Sequence, residues 1–266
     1  MDASVKAGAE PLILRERDAR GLATLTLNRP HSFNALSEAM LVALQGELDA
    51  FAHDESLRVL VLAAAGKAFC AGHDLREMRE QPSLDYYQRL FAQCSKMMLS
   101  LRRLAVPVIA RVQGIATAAG CQLVAQCDLA VASSEARFAV SGVKLGLFCS
   151  TPGVPLSRNI PLKQAFEMLV TGDFIDAHEA QRRGLVNRVA EPAALDAETA
   201  RLVDSILAKP RVALAMGKAL FYRQAELGIE VAYQAAGGTM ACNMMDAAAL
   251  EGVQAFLDKR QPRWNR

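Results

Sequence analysis

The chain has no uninterrupted apolar run of the roughly 18 residues needed to span a bilayer, so neither a transmembrane segment nor a membrane partner is expected. CxxC pairs and zinc-type Cys/His spacings are also missing. Six cysteines (Cys70, Cys94, Cys121, Cys127, Cys149, Cys242) sit in apolar or small-residue contexts, and the four histidines (His31, His53, His73, His178) are dispersed. These thiols read as buried and reduced, in a cytosolic or matrix-type compartment, and no metal is expected. Neither sign of charge dominates. With 30 Lys+Arg against 28 Asp+Glu, the net charge is +2 and no long basic stripe marks a nucleic-acid partner. The opening MDASVKAGAEP has no apolar signal core and no Arg-rich transit pattern, so it reads as a short flexible leader of a cytoplasmic protein. No internal repeat or low-complexity tract is present.

What is abundant is apolar side chain, 52% of 266 residues, enough for a large α/β domain with or without an appendage. Leu12–Leu14 and Leu22–Leu27 read as a strand pair, ended by Pro30. Ser37 is placed to cap a helix with Met40, Leu41, Leu44, Leu48 and Phe51 on one face. The run from Val59 to Ala64 is apolar throughout, as in a strand covered on both faces. A long helix is expected from Ser83 to Leu104, with Leu84, Tyr87, Phe91, Cys94, Met98 and Leu101 facing the core. Strands follow at 108–112 and 129–132. From Pro155 onward the pattern is mostly helical, with Gly172 and Gly184 at helix C-termini and one strand-like piece at 185–189.

Two small-residue turns fall where α/β proteins place their sites, at the C-terminal ends of strands. One is Gly66–Leu75. The other lies within Val112–Leu129, where Ala116-Thr117-Ala118-Ala119-Gly120 passes from strand to helix. A helix start offers free N–H groups, and small side chains admit an oxygen to them, so this second turn is a candidate oxyanion site. Its alternative is a tight packing turn.

These turns carry a resemblance. Phe69-Cys70-Ala71-Gly72-His73-Asp74-Leu75 resembles the F-x-A-G-x-D-[LI] segment of the crotonase superfamily, the enoyl-CoA hydratase/isomerase group. Val112–Ala116 with Ala119-Gly120-Cys121 resembles its second glycine-rich segment, and Leu27–Pro30 with Asn34-Ala35-Leu36 its N-terminal signature. Later motifs follow in order as far as Arg260, and ATAAGCQLV with GLFCSTPGV resembles a subgroup called enoyl-CoA hydratase domain-containing protein 3. The resemblance implies an α/β spiral of ββα units over residues 1–205 and a C-terminal helical trimerisation region over 206–266. It also implies a homotrimer or dimer of trimers acting in fatty-acid or acyl-CoA metabolism. The ligand it implies is a CoA thioester, with no further cofactor, whose carbonyl oxygen sits between the backbone N–H groups of His73 and Ala119. Around that oxygen it places Ala71, Gly72, Asp74, Leu75, Thr117 and Ala118. Ser32, Ala35, Ser141, Phe148 and Cys149 are placed further along the ligand. Arg76 and Lys259 are the candidates for the CoA phosphates, with solvated surface charge as the alternative for both.

Hydratases of this family use two glutamates as acid and base, and here those positions carry Gln122 and Gly142. An amide can orient water but cannot accept its proton, and glycine has no side chain, so hydratase activity is expected to be weak or absent. Proton transfer by another group is one reading, with Ser141, Cys149, Ser150, Thr151 and the side chains of His73 and Asp74 as candidates. Of these, Asp74 also reads as a helix cap and Cys149 as a small buried thiol without an adjacent base. Some relatives with glycine at the second position recruit bicarbonate through a glutamine two residues earlier, where this chain has Val140. A non-catalytic acyl-CoA-binding or regulatory protein is the alternative. An RNA-binding role would need a comb of lysines on the long helix, which offers only Arg89, Lys96, Arg102 and Arg103.

Overall fold

The computed structural model describes residues 10–80 and 82–264; most of the expected leader therefore lies outside the described residues. In chain order the first elements are strands β1 (Ile13–Arg17) and β2 (Leu22–Leu27), helix α1 (Glu38–Ala52), and strands β3 (Val59–Ala64) and β4 (Ala68–Cys70). Helices α2 (Leu75–Glu80) and α3 (Leu84–Arg103) come next, then β5 (Val108–Val112), β6 (Ile115–Thr117) and α4 (Ala119–Gln126). They are followed by β7 (Leu129–Ser133), β8 (Arg137–Ala139), α5 (Ser150–Asn159), α6 (Leu162–Thr171), β9 (Ile175–Asp176), α7 (Ala177–Arg183) and β10 (Arg188–Ala190). The described chain ends with α8 (Leu195–Leu207), α9 (Arg211–Gln224), α10 (Ile229–Met244) and α11 (Ala247–Leu257).

The strands form two sheets, β1-β2-β3-β5-β7-β10 and β4-β6-β8-β9, parallel except where β1 meets β2 and β8 meets β9. Three successive strand pairs, β3–β4, β5–β6 and β7–β8, each put their first strand in the larger sheet and their second in the smaller one. That repetition is the expected ββα spiral. Every residue of β3 is buried because both of its faces are covered. Leu60 and Leu62 enter the main core, while Val59 and Val61 join Ile109, Val131, Leu202 and Val203 beneath α8.

Local chemistry sets the helix starts. The Ser37 and Ser83 side chains accept from the amides of Met40 and Tyr86, capping α1 and α3. Gly172 and Gly184 end α6 and α7 in left-handed conformations, with φ of 65° and 88°. The face of α3 differs from the expected one: Tyr86, Leu90, Cys94, Met97, Met98 and Leu101 are buried, whereas Leu84 is 72% exposed. Tyr87 and Phe91 are half-buried against the core and stack on each other, and Phe91 meets the His73 ring.

The C-terminal helices bury little in a single chain. Among the described residues α9 buries no apolar residue, although its Lys218 side chain is covered, while α10 buries only Ala232 and α11 only Ala255. The attachment of α9 to the core is polar. Lys218 Nζ donates to Asp128 Oδ2 at 2.6 Å and to the carbonyls of Leu101 and Val106, while Tyr222 Oη donates to Asp128 Oδ1 at 2.6 Å. No helix among the described residues is long and apolar enough to cross a membrane.

Candidate functional site

In the smaller sheet Cys70 pairs with Ala116 and Thr117 pairs with Ala139, so the chain leaves β4, β6 and β8 at one edge, side by side. Backbone contact sets the spacing of the first two exits. A Cβ added to Gly120 would lie 2.0 Å from the Cys70 carbonyl oxygen, and one on Gly114 would lie 2.0 Å from that of Lys67. Only glycine lets β4 lie this close to the start of α4. Gly72 has φ +95°, and a Cβ there would be 3.3 Å from the Ala119 nitrogen. The two small-residue turns therefore meet. The Ala118 amide is used by the Ala139 carbonyl, and residue 73 is flanked by the bonds Leu36 N–H to Gly72 O and Asp74 N–H to Leu36 O. Among the described residues the His73 and Ala119 amides donate to no protein acceptor.

The segment before α1 braces this edge. Asn34 is fully buried in a left-handed conformation, φ 55°. Its amide donates to the carbonyls of Ala65 and Ala68, and its oxygen accepts from the Arg29 amide. Arg29 in turn pairs with Asp74 at 2.7 Å. Partial burial alone would raise the Asp74 carboxyl, but the Arg29 guanidinium and the Arg76 amide outweigh it and hold the group below its ordinary value. The capping role read for Asp74 is seen in the Arg76 amide bond to its Oδ1.

A cavity of about 260 Å³ opens beside the two free amides. Ala71, His73, Ala118 and Ala119 form its floor, Leu75, Met78 and Phe91 one wall, and Ser141, Phe148 and Cys149 the far end. No Asp or Glu lines it among the described residues. The His73 ring packs edge-on to Phe91, centroids 5.5 Å apart, and both ring nitrogens are buried without a hydrogen-bond partner. Burial pushes the imidazole below its ordinary pKa, offset in part by the Leu36 carbonyl. Burial likewise raises the Cys149 thiol, which accepts from the Gly142 amide at 3.3 Å. Thr117 and Ser141 satisfy each other at 2.8 Å. A second cavity of about 280 Å³ adjoins across His73 and Leu75, and Ser32, Ala35, Asp74 and Arg76 line it together with Arg29 and His31.

Of the expected positions, Gly72, Thr117, Gln122 and Lys259 line neither cavity, and Gly142 carries no reactive side chain. Gln122 is 4% exposed and does not line the cavity; its Oε1 is buried without a partner. Gly142 lines the cavity only as backbone, because a Cβ would fall 2.5 Å from the Leu147 carbonyl oxygen and 2.7 Å from Cys149 Sγ. Lys259 follows α11 and lines neither cavity. The sequence marks Phe91 only as ordinary core, and it gives no sign that Met78, Arg29, Leu145 and Leu147 line the cavities. The motif around Pro30 was the only signal that could have drawn Arg29 in.

Ala118 carries strain. Its φ of 50° and ψ of −121° lie in a region that suits glycine, at the N-cap of α4. Relief of that strain outweighs the extra freedom glycine gains on unfolding, so Ala118→Gly is expected to stabilise the protein by about 1 kcal/mol. A urea midpoint that rises at constant slope would show this; a lower midpoint would refute it.

Residues 17–266 match the family model described as enoyl-CoA hydratase/isomerase. A crystal structure of an enoyl-CoA hydratase from Mycobacterium smegmatis is 66% identical, covering 97% of this chain and 100% of that one, with a TM-score of 0.96. The crystal structure of human enoyl-CoA hydratase domain-containing protein 3 is 44% identical over 96% of this chain and all of that one, TM-score 0.92. The mouse protein of that name, described as mitochondrial, is 43% identical over 97% of this chain and 86% of its own length. The mouse, human and rat proteins all carry the mitochondrial description, which overturns the cytoplasmic placement. Five of the six thiols are buried as expected and Cys242 is exposed, and reduced thiols do not separate cytosol from matrix. The subgroup that the motifs suggested is the one these relatives carry by name. With family motifs, spiral fold and near-complete coverage in agreement, this chain belongs to the enoyl-CoA hydratase/isomerase family, the crotonase superfamily.

Proposed function

We propose that the protein binds an acyl-CoA thioester without a further cofactor, with the carbonyl oxygen accepting from the His73 and Ala119 amides and the acyl group in the apolar cavity. The observation that carries this reading is the convergence of two unpaired amides beside that cavity. Fixed donors of this kind stabilise an enolate-like oxygen and acidify the adjacent carbon. The Arg29, His31 and Arg76 side of the adjoining cavity suits the CoA phosphates. Lys259 would serve only from a neighbouring copy.

Hydration of a conjugated thioester is proposed to be weak or absent. The cavity lining holds no carboxylate, and the space a side chain at residue 142 would need is taken by Leu147 and Cys149. The lack of an acid favours, as a second reading, an acyl-CoA-binding or regulatory protein without turnover. In either case the core lies within the described residues up to 205. The described residues from 206 to 264 supply contacts between copies, since Phe221, Tyr233, Met245 and Phe256 are all more than half exposed on α9–α11 or beside them. A trimer or a dimer of trimers would cover them.

Calorimetry with acetoacetyl-CoA and turnover of crotonyl-CoA, with and without bicarbonate, test the proposal. Expected are clear binding and negligible hydration in both buffers. Absence of binding would sink the thioester reading. Hydration at the rate of glutamate-bearing relatives would sink the argument from the missing acids, and hydration only with bicarbonate would assign the base to that ion.

A further inference from the structure

We propose that the site takes a thioester whose acyl group is uncharged and about eight carbons long, with Met78 and Phe91 setting that length. The inference rests on the thioester reading and deepens it by naming the substrate class. The cavity beside the two amides measures about 260 Å³. An apolar protein cavity of about 150 Å³ takes up benzene, so one of this size holds about ten non-hydrogen atoms. The carbonyl oxygen and the sulfur are two of them, and about eight carbons remain. A butyryl group would leave much of that room empty, and lining atoms that face a void lose their contacts. A much longer chain would overrun it onto the rim, where Leu75, Leu145, Leu147 and Phe148 are 46–69% exposed and stay wet.

The length limit is held by a braced wall. Met78 of α2 and Phe91 of α3 line the cavity. Tyr87 ties them together: its ring stacks on Phe91 with centroids 6.3 Å apart, and its hydroxyl donates to the Met78 carbonyl at 2.9 Å. Phe91 also packs on the His73 ring, so it cannot turn aside without losing one of these contacts.

The lining also fixes the charge. Among the described residues no Asp, Glu, Lys or Arg lines this cavity, and Arg29 and Arg76 line the adjoining one instead. The His73 ring nitrogens are buried, Ser141 is bonded to Thr117, and the Cys149 thiol accepts from the Gly142 amide. The start of α5 adds little for an anion: the Ser150 amide is bonded to the Phe148 carbonyl, and residue 152 is a proline without an N–H. The Ser150 and Thr151 hydroxyls can bond a carboxylate but cannot neutralise it. A carboxylate at the end of the chain would therefore lose its water with no counter-charge in return, which is strongly disfavoured. A terminal methyl group meets no such obstacle.

The test is calorimetry on the protein with saturated acyl-CoA esters from acetyl to lauroyl, with adipoyl-CoA as the charged counterpart of hexanoyl-CoA. Affinity is expected to rise by about fourfold per methylene, up to about eight carbons, and to level off beyond. Adipoyl-CoA should bind about 100-fold more weakly than hexanoyl-CoA. Phe91→Ala, or Phe91→Leu where the alanine variant does not fold, should move the plateau to longer chains. Suppose the protein binds acetoacetyl-CoA, yet its affinity is flat across the series, peaks at acetyl, is still rising at lauroyl, or is equal for adipoyl and hexanoyl. Any of these results overturns the proposed acyl class alone. A plateau that stays put in the Phe91 variants overturns the role given to the wall. Failure to bind acetoacetyl-CoA and every member of the series would instead remove the thioester reading beneath it.

Discussion

Gly120→Ala is expected to cost about 3 kcal/mol of stability and to remove acetoacetyl-CoA binding with it. The added methyl would lie 2.0 Å from the Cys70 carbonyl oxygen and 2.7 Å from its carbonyl carbon. These are backbone atoms of a buried strand, so no rotamer change can make room. Either α4 or β4 must move, and each carries one of the two facing amides: Ala119 precedes the substituted residue, and His73 follows Cys70 by three. Displacement of the two loops by an ångström separates the donors that are proposed to share one oxygen. Gly46→Ala is the control, because that glycine lies inside α1 with nothing within 4 Å of the added carbon. There alanine should add about 1 kcal/mol through helix propensity alone. Urea unfolding and calorimetry on both variants check the pair. A Gly120→Ala protein that binds acetoacetyl-CoA like wild type would show that the two turns are not coupled through this contact.

Lys218→Met is expected to destabilise by about 3–5 kcal/mol, the range found when one partner of a buried pair is removed. The Lys218 side chain is 7% exposed and that of Asp128 is 13% exposed. Without the ammonium, Asp128 keeps only the Tyr222 hydroxyl and the Val108 amide, and the carbonyls of Leu101 and Val106 lose their donor. Burial pulls the ammonium below its usual pKa, and the Asp128 charge and hydrogen bond oppose that pull. Asp128→Asn in the Lys218→Met background should recover part of the loss, since it removes the stranded charge. Chemical denaturation of the two variants decides it. Because α9 buries no apolar residue in the single chain, loosening this anchor should also alter the assembly state, readable by light scattering.

Much of the fold was legible in the amino-acid order, for identifiable reasons. The apolar run of β3, the serine caps of α1 and α3 and the glycine ends of α6 and α7 are local signals, and each stands where it was read. The strands β4, β6 and β8 were not read as strands, because three residues are too few to display a period of two. With them went the smaller sheet, whose edge is where the site is built. The inward face of α3 was placed too near Leu84 and Tyr87. Periodicity gives a stripe, but its rotation about the helix is fixed by what packs on it.

The sequence by itself determined the family, through motifs kept in order from Leu27 to Arg260, and it puts Gln at residue 122 and Gly at residue 142. Tertiary structure alone decided that no side chain could be restored at residue 142 without moving Leu147 and Cys149, that Gln122 stays out of the cavity, and that the His73 ring packs on Phe91 with its nitrogens buried. These are contacts between segments distant in the chain. Their distances follow from how closely two sheets and a helix can approach, which here is set by glycine backbones touching carbonyls.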